Sequence, residues 1–236
     1  MPDLPAAGDP RPHAGGRRHR TAAAATVLGA VALVMAGVIW LRSGPAPDVG
    51  TATVNQLTAP VPAPASGAAG TAVPTQAAAL PTAPVPVIAP VRLAIPVLNL
   101  TATVQPTGVN QAGDFDVPPS VDTVGWYRYG PGLDATTGSV VIAGHVDSAT
   151  QGAGAFFRLR QLRPGDAVTV TGSDGRAARY TVAGREEYAK TAIDLNRYFT
   201  WTGAKRLTLI TCGGPFNDRT HHYRDNVVVT AVPATG

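Results

Sequence analysis

The sequence predicts an all-β domain carried at the end of a membrane tether. Three observations predict it. Short apolar runs punctuated by turn signals fill the chain from Val91 onward, an uncharged apolar stretch of 20 residues occupies positions 22–41, and a Pro/Ala-rich segment separates the two. Short strands at such spacing indicate a barrel or a sandwich. The single cysteine, Cys212, rules out an intramolecular disulfide. Stability must then come from an apolar core, which about 145 residues suffice to build.

The N-terminal 42 residues set the expected topology. Arg11, Arg17, Arg18 and Arg20 precede AAAATVLGAVALVMAGVIWL at positions 22–41. At 1.5 Å per residue, a helix of that length spans roughly 30 Å, enough for a bilayer core. Trp40 and Arg42 suit the far interface, and the basic flank favours a cytoplasmic N-terminus. A cleaved signal peptide would carry a shorter apolar region of about 7–15 residues. The expected organisation is a cytoplasmic basic tail (1–21), a transmembrane helix (22–41), a linker (42–90) and an extracytoplasmic domain (91–236). The protein is therefore expected in the cell membrane as a single-pass chain. Positions 43–90 hold ten prolines and one charged residue, Asp48. Such a segment buries too little surface to offset its ordering entropy and is expected to be disordered. Polyproline II stretches rise about 3.1 Å per residue, so the tether could reach on the order of 100 Å.

The net charge of +4 divides evenly. Residues 1–21 carry four Arg against two Asp, and residues 91–236 carry 14 Lys and Arg against 12 Asp and Glu, each giving +2. The domain has no basic run, so no nucleic-acid partner is expected.

Within the domain, residues 91–96 read as a short strand ending at Pro96, and 98–105 continues with alternating polarity. A turn at 110–113 leads into a short strand at 114–118. Residues 139–143, Ser-Val-Val-Ile-Ala, form a continuous apolar run expected to be a buried strand. Pro164-Gly165-Asp166 turns into a strand at 167–171, and Asp174-Gly175 is a hairpin signal leading into 178–183. Residues 207–211 and 226–232 complete the strands. Helical turns are expected only around 155–162 and 192–199.

Cys212 ends the run Arg206-Leu-Thr-Leu-Ile-Thr-Cys212 and precedes Gly213-Gly214. A lone cysteine is either a small buried hydrophobe or a reactive thiol. The glycines clear bulk beside the sulfur and favour the thiol. His145 lies 67 residues upstream and Arg224 lies 12 downstream. Each has a bland alternative: a histidine at a strand end, a surface arginine. Asp147 reads as a turn residue rather than a partner of His145. His221 and His222 are adjacent, and neighbours in a strand face opposite ways. No spacing matches a zinc site, and Glu186 and Glu187 are the only glutamates, too few to argue for calcium. No metal or cofactor is expected.

In order, these motifs resemble the sortases. Gly144-His145-Val-Asp follows a strand, Thr208-Leu-Ile-Thr-Cys212 ends another, and Arg224 precedes the last. Val124-Gly-Trp-Tyr127, Gly138-Ser-Val-Val-Ile-Ala-Gly-His145, Thr211-Cys-Gly-Gly-Pro-Phe216 and Tyr223-Arg-Asp-Asn-Val-Val-Val229 are most similar to class F sortases of actinobacteria. The resemblance covers nearly all of residues 91–236. It implies a closed eight-stranded β-barrel and cysteine transpeptidation. A Leu-Pro-x-Thr-Gly-like sorting signal on a surface protein would be cut between Thr and Gly. The threonine carbonyl would pass to an amine on a peptidoglycan precursor or another acceptor.

On that reading Cys212 is the nucleophile through its thiolate. His145 is the acid for the leaving amine and the base for the incoming one. Arg224 stays charged at any physiological pH and can hold the substrate carbonyl or the developing oxyanion, where one donor is worth roughly 3–4 kcal/mol. The Gly213 N–H is a further oxyanion candidate, and Thr211 is expected to line the substrate pocket. Two alternatives are a pilin-polymerising sortase and a catalytically silent module that binds wall or peptide; the intact His145, Cys212 and Arg224 count against the second. The serine-x-glycine-cysteine motif of L,D-transpeptidases is absent. The terminal Val232-Pro-Ala-Thr-Gly236 resembles a sorting signal by chance composition.

Overall fold

The computed structural model describes residues 47–59, 87–111 and 113–235. The basic tail, the expected membrane helix and most of the linker lie outside the described residues. Among the described residues no helix is long and apolar enough to cross a membrane.

Eight strands close into a barrel. They are β1 (Pro90–Ile95), β2 (Leu100–Thr107), β3 (Thr123–Tyr127), β4 (Ser139–Ala143), β7 (Ala167–Gly172), β8 (Ala177–Ala189), β9 (Arg206–Asn217) and β10 (His222–Pro233). A separate two-stranded ribbon joins β5 (Asp147–Ser148) to β6 (Gly152–Ala153). Around the barrel the order is β1-β2-β3-β4-β9-β10-β8-β7. The β2/β3 and β4/β9 pairs are parallel and the others antiparallel. The interior is filled by apolar side chains such as Leu93, Ile142, Phe156, Leu207 and Val229, all at most 1% exposed. The all-β expectation and the closed eight-stranded barrel implied by the resemblance both hold.

Several elements depart from expectation. The strand expected at 114–118 survives only as a bridge between Val109 and Phe115. β3 was not among the expected strands, because Gly125 interrupts its pattern. The reason for that glycine is spatial: a Cβ there would lie 2.7 Å from Thr107 Oγ1 on the neighbouring strand. β8 runs six residues beyond its expected end, through Arg185-Glu186-Glu187. The buried charges of Arg185 and Glu186 are tolerated because both find partners. Arg185, for example, donates to the carbonyls of Arg160 (2.6 Å), Leu162 (2.8 Å) and Pro47 (2.8 Å). The two expected helical turns are single 3-10 turns, Leu159–Gln161 and Leu195–Arg197.

The largest correction concerns the linker. Residues 47–59, expected as disordered chain, form a strap containing helix α1 (Thr51–Thr58) that packs on β8. Val49 and Arg185 exchange backbone hydrogen bonds of 2.9 and 2.8 Å, and Asp48 accepts from the Glu187 N–H at 2.8 Å. Val54 is fully buried. Two glycines permit this approach. Gly50 has φ 75° and no room for a Cβ against Ala183 O, and a Cβ on Gly184 would sit 2.6 Å from Val54 Cγ2. An eight-residue helix with one buried apolar residue is stabilised by tertiary contacts, which is why its pattern was invisible.

Candidate active site

Parallel pairing of β4 with β9 sets the site. Ala143 stands opposite Ile210, and the Gly144 N–H donates to Ile210 O at 3.1 Å. His145 lies two residues beyond Ala143 and Cys212 two beyond Ile210, so the two occupy matching positions of the parallel register, His145 just past the end of β4 and Cys212 within β9. Thr211 Oγ1 donates to Gly144 O at 2.8 Å and ties the strands together at this point. Thr211 is buried, and its hydroxyl serves that strand contact. Its structural role is thus to fix the backbone between the two candidate catalytic residues.

Gly144 must be a glycine. A Cβ there would fall 2.8 Å from Val124 Cγ1 and 3.0 Å from the Phe156 ring. The His145 carbonyl accepts from the Phe156 N–H at 3.1 Å. The half-buried ring places Nε2 3.0 Å from the Pro118 carbonyl. A carbonyl only accepts, so Nε2 carries a hydrogen and Nδ1 is the nitrogen left for proton transfer.

Cys212 is a free, half-buried thiol. Leu207 and Leu209 point into the barrel core, and alternation along β9 places Cys212 on the outer face. Asn226 on β10 stands opposite it, and Tyr188 on β8 stands opposite Asn226. The adjoining glycines serve packing as well as access. A Cβ on Gly213 would lie 2.6 Å from Val227 Cγ2, and one on Gly214 (φ 71°) would overlap the Asp225 carboxylate. They let β9 close against β10 where Asp225 is buried.

Arg224 occupies a register shift in β10 between Tyr223 and Asp225. Its Nε and Nη2 donate to Asp225 Oδ1 and Oδ2 at 2.8 and 2.7 Å, a bidentate fork. The arginine side chain is 57% exposed and the carboxylate 4%. Asp225 pushes the guanidinium pKa further up, so the charge persists at any working pH. Together with Arg219, Arg224 lines an open cleft formed by residues 215–219. In the sequence the only signal of Asp225 is the adjacent Arg-Asp pair.

Asp147 sits in β5 and accepts from the Tyr223 hydroxyl at 2.5 Å. Donation to Asp147 is the main cause that pushes the Tyr223 pKa up to about 12, with burial and the nearby charges of Asp147 and Cys212 adding to it. Tyr223 also packs edge-on against Phe216 at 5.0 Å.

The adjacent histidines do not share a strand: His221 lies in the β9–β10 turn with φ 54°, and His222 begins β10. Among the described residues no group of three or more His, Cys, Asp or Glu could hold a metal ion. Val232 and Pro233 are paired with Thr181 and Tyr180, and the Ala234 N–H donates to Arg179 O, so the resemblance to a sorting signal at the C-terminus falls on a strand end.

Residues 93–234 match the model of the Sortase domain, well over half of the chain. The chain belongs to the sortase family, and its activity is of the sortase cysteine-transpeptidase type. No curated protein matches it. Among solved structures it is similar to sortase C-1 from Actinomyces oris, at 20% identity and a TM-score of 0.48 over 61% of this chain and 73% of that one. Sortase A from Corynebacterium diphtheriae matches at 22% identity and 0.47 over 66% and 64%. Group B Streptococcus Pilus Island 1 sortase C2 matches at 17% and 0.47 over 61% and 73%. At such identities the likeness supplies no residue-level correspondence.

Proposed function

We propose that this chain is a membrane-tethered sortase, of the class F kind by its motifs, with Cys212, His145 and Arg224 as its catalytic residues. One observation carries the reading: the parallel β4/β9 register, with Ala143 opposite Ile210, brings His145 and Cys212 to matching positions two residues further along each chain. The substrate is a surface protein bearing a Leu-Pro-x-Thr-Gly-like signal. The Cys212 thiolate attacks the threonine carbonyl carbon and forms a C–S bond. The Gly213 N–H and Arg224 hold the oxyanion. The fork to Asp225 uses two of the five guanidinium N–H donors, leaving three for substrate. Collapse breaks the C–N bond, and the His145 imidazolium gives its Nδ1 proton to the departing glycine amine. A wall-precursor amine, or another amine acceptor, then attacks the thioester. Neutral His145 takes the proton of the attacking amine, the C–S bond breaks, and Cys212 leaves as the thiolate, which restores the starting thiolate and imidazolium.

Residues 22–41 as an uncleaved span, with the N-terminus in the cytoplasm, would place the domain where such substrates lie. The test is to incubate the full-length protein with Leu-Pro-x-Thr-Gly peptides and a diglycine acceptor. Cleavage between Thr and Gly with transfer is expected, and Cys212→Ala and His145→Ala should abolish it. Cleavage at the wild-type rate by Cys212→Ala would refute the assignment.

A further inference from the structure

His145 and Arg224 belong to different parts of the chain, and no strand pairing joins their two segments directly. The β4/β9 ladder ends at the Gly144–Ile210 bond, and β5 pairs only with β6, outside the barrel. On the other side, β10 shifts register at Arg224, between the Tyr223–Phe216 and Asp225–Gly213 pairs that follow the hairpin turn. One side-chain bond spans the two: the Tyr223 hydroxyl donates to Asp147 Oδ2. Asp147 lies two residues beyond His145, and Tyr223 lies one residue before Arg224, 76 residues away.

We propose that Asp147 and Tyr223 form a latch that positions the segment carrying His145 against the strand carrying Arg224. Both are positioning residues, acting through their neighbours. Several features suit them to this. The Tyr223 ring is braced by Phe216, so its hydroxyl has a fixed origin. The phenol stays protonated throughout the neutral range and remains a donor. Asp225 absorbs the adjacent arginine in its own fork, which leaves the Asp147 carboxylate to the tyrosine. The carboxylate that sequence places nearest to His145 is thereby engaged across the site. This inference rests on the assignment of His145, Cys212 and Arg224.

The test uses full-length Tyr223→Phe, Asp147→Ala, Asp147→Asn and the Tyr223→Phe/Asp147→Ala double variant. Peptide transpeptidation is measured beside Cys212 alkylation and thermal unfolding. Opening the latch misplaces reacting groups, so Tyr223→Phe and Asp147→Ala should each lower kcat by about 10- to 100-fold with little change in KM. The double variant should be no worse than either single one, as for two partners in one interaction. Asp147→Asn keeps an acceptor oxygen and should recover most of the loss. A purely structural role would move the unfolding midpoint without this pattern in kcat. Wild-type kcat in both single variants, additive losses, or Asp147→Asn as impaired as Asp147→Ala would each overturn the latch. If Tyr223→Phe does not fold, the contrast between Asp147→Ala and Asp147→Asn still decides it. Cys212→Ala separates the two levels: if it retains turnover the catalytic assignment fails, and if it is inactive while the latch variants are normal only the latch fails.

Discussion

Two arginine–carboxylate pairs stand beside the β8–β10–β9 sheet, and they are built for opposite ends. Arg197 is 22% exposed and its partner Glu186 is 2% exposed, at 3.5 Å. Arg197 is enclosed by acceptors: Nε donates to Thr58 Oγ1, Nη1 to the Tyr188 hydroxyl and Nη2 to Asn55 Oδ1. The Tyr198 hydroxyl completes the shell by donating to Glu186 at 3.0 Å. This pair fastens the N-terminal strap to the barrel. The Arg224–Asp225 pair has shorter contacts, yet it leaves the guanidinium largely in solvent with three donors outside the fork. A structural arginine is surrounded by partners. An arginine meant for a transient oxyanion is anchored on one edge and open on the other.

Breaking each pair should therefore fail differently. The largest effect is expected for Arg197→Ala, which strands the buried Glu186 carboxylate. Because the guanidinium is partly exposed, the loss should fall at the low end of the range for buried pairs, about 3 kcal/mol in chemical unfolding. Cys212 alkylation in the remaining folded protein should be normal. Arg224→Ala should do the reverse: kcat should fall by about 10²- to 10³-fold, as for loss of an oxyanion donor, with little change in unfolding. An Arg224→Ala enzyme with unchanged turnover would place this arginine outside the chemistry.

Val54→Ala sharpens the comparison from the strap side. It removes apolar volume beneath α1 and should cost about 2 kcal/mol if residues 47–59 fold with the barrel. An unchanged midpoint would show the strap to be separable. The smallest effect concerns pH. Burial holds Tyr180, and donation to Asp147 holds Tyr223, at a pKa of about 12. An unfolded tyrosine titrates near about 10. Between these values the folded chain keeps protons that the unfolded chain has released, so this stabilisation is full below about pH 10 and is lost on going from there through 12. Unfolding at pH 8 and pH 11 should show the decline, and Tyr223→Phe should lessen it.

Where the chain spoke locally, sequence and structure agree. The β-branched run at 139–143 is a buried strand with His145 just past its end, whereas the strand expected at 207–211 runs on through Cys212 to Asn217. What was missed depends on neighbours far away in sequence. Gly125, Gly184 and Gly213 look like interruptions until Thr107, Val54 and Val227 are seen against them. The strap has one buried apolar residue and no periodicity to betray it. Asp147 reads as a turn residue because its partner, Tyr223, arrives from another strand. Asp225 gave only an Arg-Asp dipeptide, and its fork exists because Gly214 admits the carboxylate.

The central claim is that Cys212 carries the acyl chain. Mass spectrometry of the full-length protein, quenched during turnover of a Leu-Pro-x-Thr-Gly peptide, tests it most directly. A thioester of the peptide's threonine-terminated fragment is expected on Cys212, discharged by hydroxylamine and absent from Cys212→Ala. Peptide cleavage with the adduct on another residue, or persisting in Cys212→Ala, would contradict it.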